Sequence, residues 1–234
     1  MKAIYKRELR SYFASPIGYV CIAILLALFG FYYYLVMQYR STSYISSVYS
    51  TMFIWCMMVV PILTMRSMSD DQRNKTDQAL LTAPVGVTGI VLGKFLACFT
   101  VFAVAILGSL LPAVVLSFVS SLKWVTVLGT VLGALFYGGA MIAIGVFISS
   151  LTQSQIIAAI GTFGASMFLL IIDQLSGTVT DPVISKVITW ISFNSRYRPF
   201  TNGVFNISSI VFFLSIMAVF VFLTARRLES KRWS

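Results

Sequence analysis

The stretch S-D-D-Q-R-N-K-T-D-Q, Ser69 to Gln78, sets three acids and two bases in ten positions between apolar runs long enough to cross a bilayer. Placing any one of those charges at the centre of a spanning helix costs about 2.5 to 3.5 kcal/mol. The group therefore lies outside hydrocarbon, and the segments around it are ordered by that constraint. Ser69 followed by Gln72 fits a capping box, with Asp70 and Asp71 where a helix N-terminus favours negative charge. The pattern predicts a short helix from Ser69 through Asp77 to about Leu81, stopped at Thr82-Ala83-Pro84 because proline clashes with a preceding helical turn. A charged surface helix joined stiffly to a membrane helix at each end can receive force from a soluble partner. A solvated connector with no further role is the other reading of the same residues.

The class follows from composition. With 59% hydrophobic residues, 10% charged residues and a mean hydropathy of +0.91, the chain reads as an all-α integral membrane protein. Its 234 residues leave room for a single transmembrane domain and no folded aqueous one. The formal charge of +10 is spread over loop ends, which fits anionic lipid headgroups and argues against nucleic acid. Cys21, Cys56 and Cys98 all fall in apolar runs and read as packing residues, with no disulfide framework and no metal-ligand cluster.

Six transmembrane helices are expected, over residues 16–37, 49–66, 89–119, 125–151, 156–173 and 207–225. Residues 1–15 read as an amphipathic interfacial helix: Tyr5, Leu9, Tyr12 and Phe13 share one face, and Lys2, Lys6, Arg7 and Arg10 another. The basic lead, the full-length apolar run after it and the absence of an A-x-A site argue against a signal peptide. Residues 67–88 form the charged connection, and Gly108 with Pro112 predicts a kink in the third span. Gly129 and Gly133 make a GxxxG pair that, with Gly138 and Gly139, points to close helix packing. Residues 174–206 read as an outer loop with a short half-sunken helix at Val183 to Ser192, broken at Arg196-Tyr197-Arg198-Pro199; residues 226–234 read as a tail. With both termini inside, twelve Lys and Arg lie on the cytoplasmic side against five outside.

Asp70 to Phe95, D-D-Q-R-N-K-T-D-Q-A-L-L-T-A-P-V-G-V-T-G-I-V-L-G-K-F, resembles the loop of ABC-2 type transporter permeases. Gly145 to Ala159 and the end from Arg196 through Phe222 to Trp233 agree in order, the last resembling the gliding-motility-associated permeases. One departure is Lys75, where that family commonly has glycine. The resemblance implies a six-helix, type V exporter-like half-transporter in a bacterial inner membrane. It would dimerise with an identical or different permease chain and be driven by a separate ABC ATPase, with an accessory extracellular-domain subunit as a further partner. It places ATPase coupling on Asp70, Asp71, Arg73, Lys75, Asp77 and Gln78, seated by Leu80 and Leu81, with Lys6, Arg7 and Arg10 on the interfacial helix. It also assigns closure of the outer exit to the helix around Val183 to Ser192.

No cofactor site is expected in this chain, because ATP and Mg would be bound by the partner. Gly89-Ile-Val-Leu-Gly93-Lys94-Phe95 is one residue short of a phosphate-binding loop and ends in Phe, so Lys94 reads as a headgroup-seeking residue at a helix start. The rival class is an ATP-independent carrier, channel or membrane scaffold. Every span is free of charge through its middle, and there is no histidine for a proton relay. An intramembrane hydrolase lacks an activator for Ser149-Ser150. The apolar, aromatic lateral face points to a lipid-like, peptide or polymeric cargo.

Overall fold

The computed structural model describes residues 1–38, 51–76, 86–118, 124–175 and 188–232. Helices follow one another as α1 (Lys2–Ala14), α2 (Pro16–Gln38), α3 (Met52–Arg73), α4 (Val87–Gly108), α5 (Leu110–Ser117), α6 (Trp124–Leu151), α7 (Gln155–Leu175), α8 (Phe193–Thr201) and α9 (Ile207–Arg232). No strand occurs among the described residues. Five helical segments there are long and apolar enough to cross a membrane: Pro16–Leu35, Val87–Ser117, Trp124–Leu151, Gln155–Leu175 and Ile207–Lys231. Helix α3 is comparable in length, with an apolar first part and a charged end.

Helix α6 is the hub. Its apolar stretch is 72% buried, against 17% for those of α7 and α9. Glycines make this possible by letting four different elements approach. A Cβ at Gly129 would lie 3.1 Å from Phe200 O, and one at Gly133 would lie 2.6 Å from Phe200 Cβ, both on α8. At Gly138 it would meet Phe102 of α4 at 2.1 Å, at Gly139 Met217 of α9 at 3.0 Å, and at Gly145 Thr64 Oγ1 of α3 at 2.4 Å. The GxxxG pair thus lies against the short helix α8 rather than against another long helix. Small residues at helix contacts compensate for the weak driving force between helices in lipid.

The third apolar run, where a kink was expected, is interrupted at Ser109. Helix α4 stops at Gly108, Ser109 links it to α5, and Pro112 sits in the first turn of α5. Proline has no N–H to offer the carbonyl four residues back, which costs least near a helix start.

Three expectations from the sequence are corrected. Ser69 does not begin a helix: α3 runs unbroken through it to Arg73, and Ser69 Oγ donates back to Met65 O within the same helix. Tertiary partners claim the capping-box residues instead, Gln72 donating to Ser150 O at 2.8 Å. The chain leaves α3 at Asn74 and Lys75, and Lys75 is left-handed at φ 56°. The expected stretch from Asp77 to Leu81 lies outside the described residues, as does the first half of the helix expected at Val183 to Ser192; residues 188–191 of that helix are described and are helical.

Arg196-Tyr197-Arg198-Pro199 does not break a helix; it forms the middle of α8. Ser192 caps that helix by accepting from Ser195 N at 3.0 Å, and the Asp173 carboxylate accepts from Asn194 N at 3.3 Å. Phe193, Tyr197 and Phe200, spaced i, i+4, i+7, are buried. Tyr137 packs edge-on against Phe193, Tyr197 and Phe213. The residues after Ala225 are helical to Arg232, steadied by an Arg226–Glu229 ion pair at 3.2 Å and by burial of Leu228.

Candidate functional site

The first half of the site is a helix laid across the bundle end. The apolar face of α1 buries Ile4 and Tyr12 and half-buries Tyr5, Leu9 and Phe13, leaving Lys2, Lys6 and Arg10 exposed. Gly93 of α4 admits it, since a Cβ there would lie 3.1 Å from Ile4 Cγ2 and 3.3 Å from Tyr5 N. Tyr12 Oη donates to Leu63 O at 2.8 Å and contacts Cys98 Sγ at 3.1 Å; Tyr5 Oη meets Thr100 Oγ1 at 3.0 Å. One short helix is thereby bonded to both α3 and α4.

The second half is electrostatic, and Lys94 is its centre. Lys94 does not reach outward: it is 2% exposed and turns inward between α1 and α3. An ammonium has three N–H donors and no acceptor. Here Nζ meets Asp71 Oδ2 at 2.5 Å, Glu8 Oε1 at 3.2 Å and the carbonyl of Ser67. Burying a lone ammonium costs several kcal/mol, and two carboxylates with a carbonyl offset that cost. Arg7 pairs with Glu8 at 2.7 Å and with Asp71 at 3.7 Å. Thr76 Oγ1 donates to Asp71 Oδ1 at 2.6 Å.

A second group sits beside the first. Arg66 donates to Asp70 at 3.0 Å, one turn apart on α3, and reaches Ser15 Oγ at 3.3 Å; Gln155 donates to the other oxygen of Asp70. The two groups line a cleft of about 290 Å³, into which Ser11, Tyr12 and Asn74 also face. Its charged lining balances: three cations, Arg7, Arg66 and Lys94, against three carboxylates, Glu8, Asp70 and Asp71. Burial alone would raise the pKa of Asp71, but the Lys94 charge and hydrogen bond, with Thr76 and Arg7, bring it below the usual carboxylate value. Hydrogen bonding to Glu8 raises that of Arg7. Both groups are therefore held in their charged forms.

Of the residues expected to form a coupling surface, Asp70 and Asp71 turn into this cleft instead of facing solvent. Arg73 is exposed and forms no hydrogen bond or ion pair among the described residues, and Lys75 is exposed at the left-handed turn. Asp77, Gln78, Leu80 and Leu81 lie outside the described residues. Of Lys6, Arg7 and Arg10, only Arg7 joins the cluster. Sequence reasoning passed over Glu8 and Gln155. Glu8 had a signal: it is the one acid before Asp70, while Lys94 is a cation in an apolar run that needs a counter-charge.

The described residues hold no grouping of His, Cys, Asp and Glu that could bind a metal. The arrangement makes α1, the end of α3 and the start of α4 one ion-paired body. The profile of the ABC-2 family transporter proteins matches residues 2–233. The chain belongs to the ABC-2 transporter family. A search of curated proteins finds no match. As an ABC-2 family protein it is a multi-pass membrane component of a transporter, and that family implies an ABC ATPase subunit and a second permease chain as partners. Lys75 is left-handed, a conformation that glycine adopts without steric cost.

Proposed function

We propose that this ABC-2 protein is the permease subunit of an exporter: six spans, both termini cytoplasmic, two permease chains per complex, powered by ATP hydrolysis in a separate subunit. The observation that carries the reading is the ion-paired body of α1, α3 and α4, centred on the buried Lys94. A push on the polar connection after Arg73 would not bend one loop. It would move three helices together, because separating them leaves buried charges unpaired. The twelve-to-five asymmetry of basic residues supports a cytoplasmic position for that body. The ATPase would dock on the exposed cations Lys6, Arg10, Arg73 and Lys75 and on the segment Asp77 to Leu81. Asp70 and Asp71 would hold the body together from within. The likeness of the last helix to gliding-motility-associated permeases favours that branch of the family.

The test is reconstitution of the full chain in vesicles with and without its co-purified ATPase. Movement of cargo, or of a reporter on the outer end, is expected with ATPase and ATP together. Full activity of the isolated chain without ATP would overturn the reading.

A further inference from the structure

The α6–α7 turn also grips the polar end of α3. Ser149 is fully buried; its hydroxyl accepts from the backbone N–H groups of Met68 and Ser69, each at 3.1 Å, and donates to Met65 O at 3.1 Å. Gln72 reaches Ser150 O at 2.8 Å, and Gln155, in the first turn of α7, holds Asp70. Gly145, one turn before Ser149, brings the two helices close enough for this by leaving room for Thr64.

The two grips differ in kind. Lys94 acts through a flexible four-carbon stem and a charge, which tolerates small shifts. Ser149 bonds two successive backbone N–H groups of another helix. A slide of α3 by the rise of one residue, about 1.5 Å, would misalign both bonds. The end of α3 therefore either carries α6 and α7 with it or breaks from them. Because α6 also packs on α8 through Gly129 and Gly133, displacement of α6 reaches the opposite end of the bundle.

We infer that Ser149 and Gln155 are positioning residues that pass displacement of the α3 end into α6 and α7. The inference rests on the ATP-driven reading above, and the experiment separates the two. Cys21, Cys56 and Cys98 are all buried, so a thiol-reactive fluorophore is directed to an introduced cysteine. Two full-length reporters are made, Ala3→Cys on α1 and Gln153→Cys in the α6–α7 turn, both at exposed positions. Each is measured in complex with the ATPase before and after Mg-ATP.

Both reporters are expected to respond in the otherwise unaltered chain. With Ser149→Ala and Gln155→Met added, the Ala3 response is retained and the Gln153 response is lost. Gln155→Met alone, at a partly exposed site, reduces the Gln153 response and leaves that at Ala3. A Gln153 response that is absent in the unaltered chain, or that survives unchanged in either variant, overturns the inference. Loss of both responses in Gln155→Met also overturns it, because the residue would then be holding the fold together. A silent Ala3 reporter in the unaltered chain sinks the ATP-driven reading itself.

Discussion

Replacing Lys94 by Met keeps the length of the side chain and removes its charge, its hydrogen bonds to Glu8 and Ser67 O and its ion pair with Asp71. Glu8 and Asp71, whose side chains are 14% and 17% exposed, are then left facing one another with only the half-exposed Arg7 between them. Breaking a buried ion pair by removing one partner costs about 3 to 5 kcal/mol; the residual exposure and Arg7 favour the low end, about 3 kcal/mol. For a chain of this length that corresponds to a fall in melting temperature of about 6 to 12 °C. The assay is thermal unfolding of the purified protein in mild detergent, followed by tryptophan fluorescence. The triple variant Lys94→Met, Glu8→Gln, Asp71→Asn should recover much of the loss, because no charge is then stranded. A Lys94→Met protein that melts within about 1 °C of the unaltered chain would refute the view that this cluster holds the three helices together.

Three further outcomes follow. Because the folded pKa of Asp71 lies below its unfolded value, its contribution is complete above the ordinary carboxylate value of 3.8 and is lost as pH falls through the folded pKa. The melting difference between the unaltered chain and Asp71→Asn should hold from about pH 7 to pH 5 and shrink toward about pH 3; an unchanged difference at the acid end contradicts the assignment. Lys75→Gly should stabilise the protein by about 1 kcal/mol, read as a rise in melting temperature, since it relieves a left-handed non-glycine residue. Gly133→Leu should cost about 1 to 3 kcal/mol because its Cβ would overlap Phe200, whereas Gly164→Ala, with open space around it, should be neutral or stabilising. Equal melting of the two variants would contradict the packing of α8 on α6.

The long apolar elements were legible because a bilayer demands about twenty apolar residues per crossing, and α2, α6 and α7 begin and end within a few residues of expectation. The amphipathic face of α1 was legible for the same reason: its periodicity is local. Local signals failed where a distant partner decides. Ser69 and Gln72 spell a helix start in isolation, but Ser149 and Ser150, about eighty positions on, accept hydrogen bonds from Ser69 N and the Gln72 amide, and α3 continues past both. Arg196 to Pro199 looked like a break because proline and two arginines dominate it, although Phe193, Tyr197 and Phe200 carry the helical spacing beneath them. Lys94 was placed at the membrane surface because its counter-charge, Glu8, stands 86 positions away in the chain.

The account depends most on a separate ATPase gripping the polar end of α3 and the helix laid across it. The direct measurement is gentle purification of the full chain from its native membrane, with ATP hydrolysis measured in the purified material, for the unaltered protein and for Arg73→Glu. Arg73 is the cleanest probe because its side chain is exposed and has no bond among the described residues. An ATP-hydrolysing subunit should accompany the unaltered chain and be depleted from the Arg73→Glu preparation, with melting temperature unchanged. An unaltered chain that carries no ATPase and is fully active alone would contradict the account.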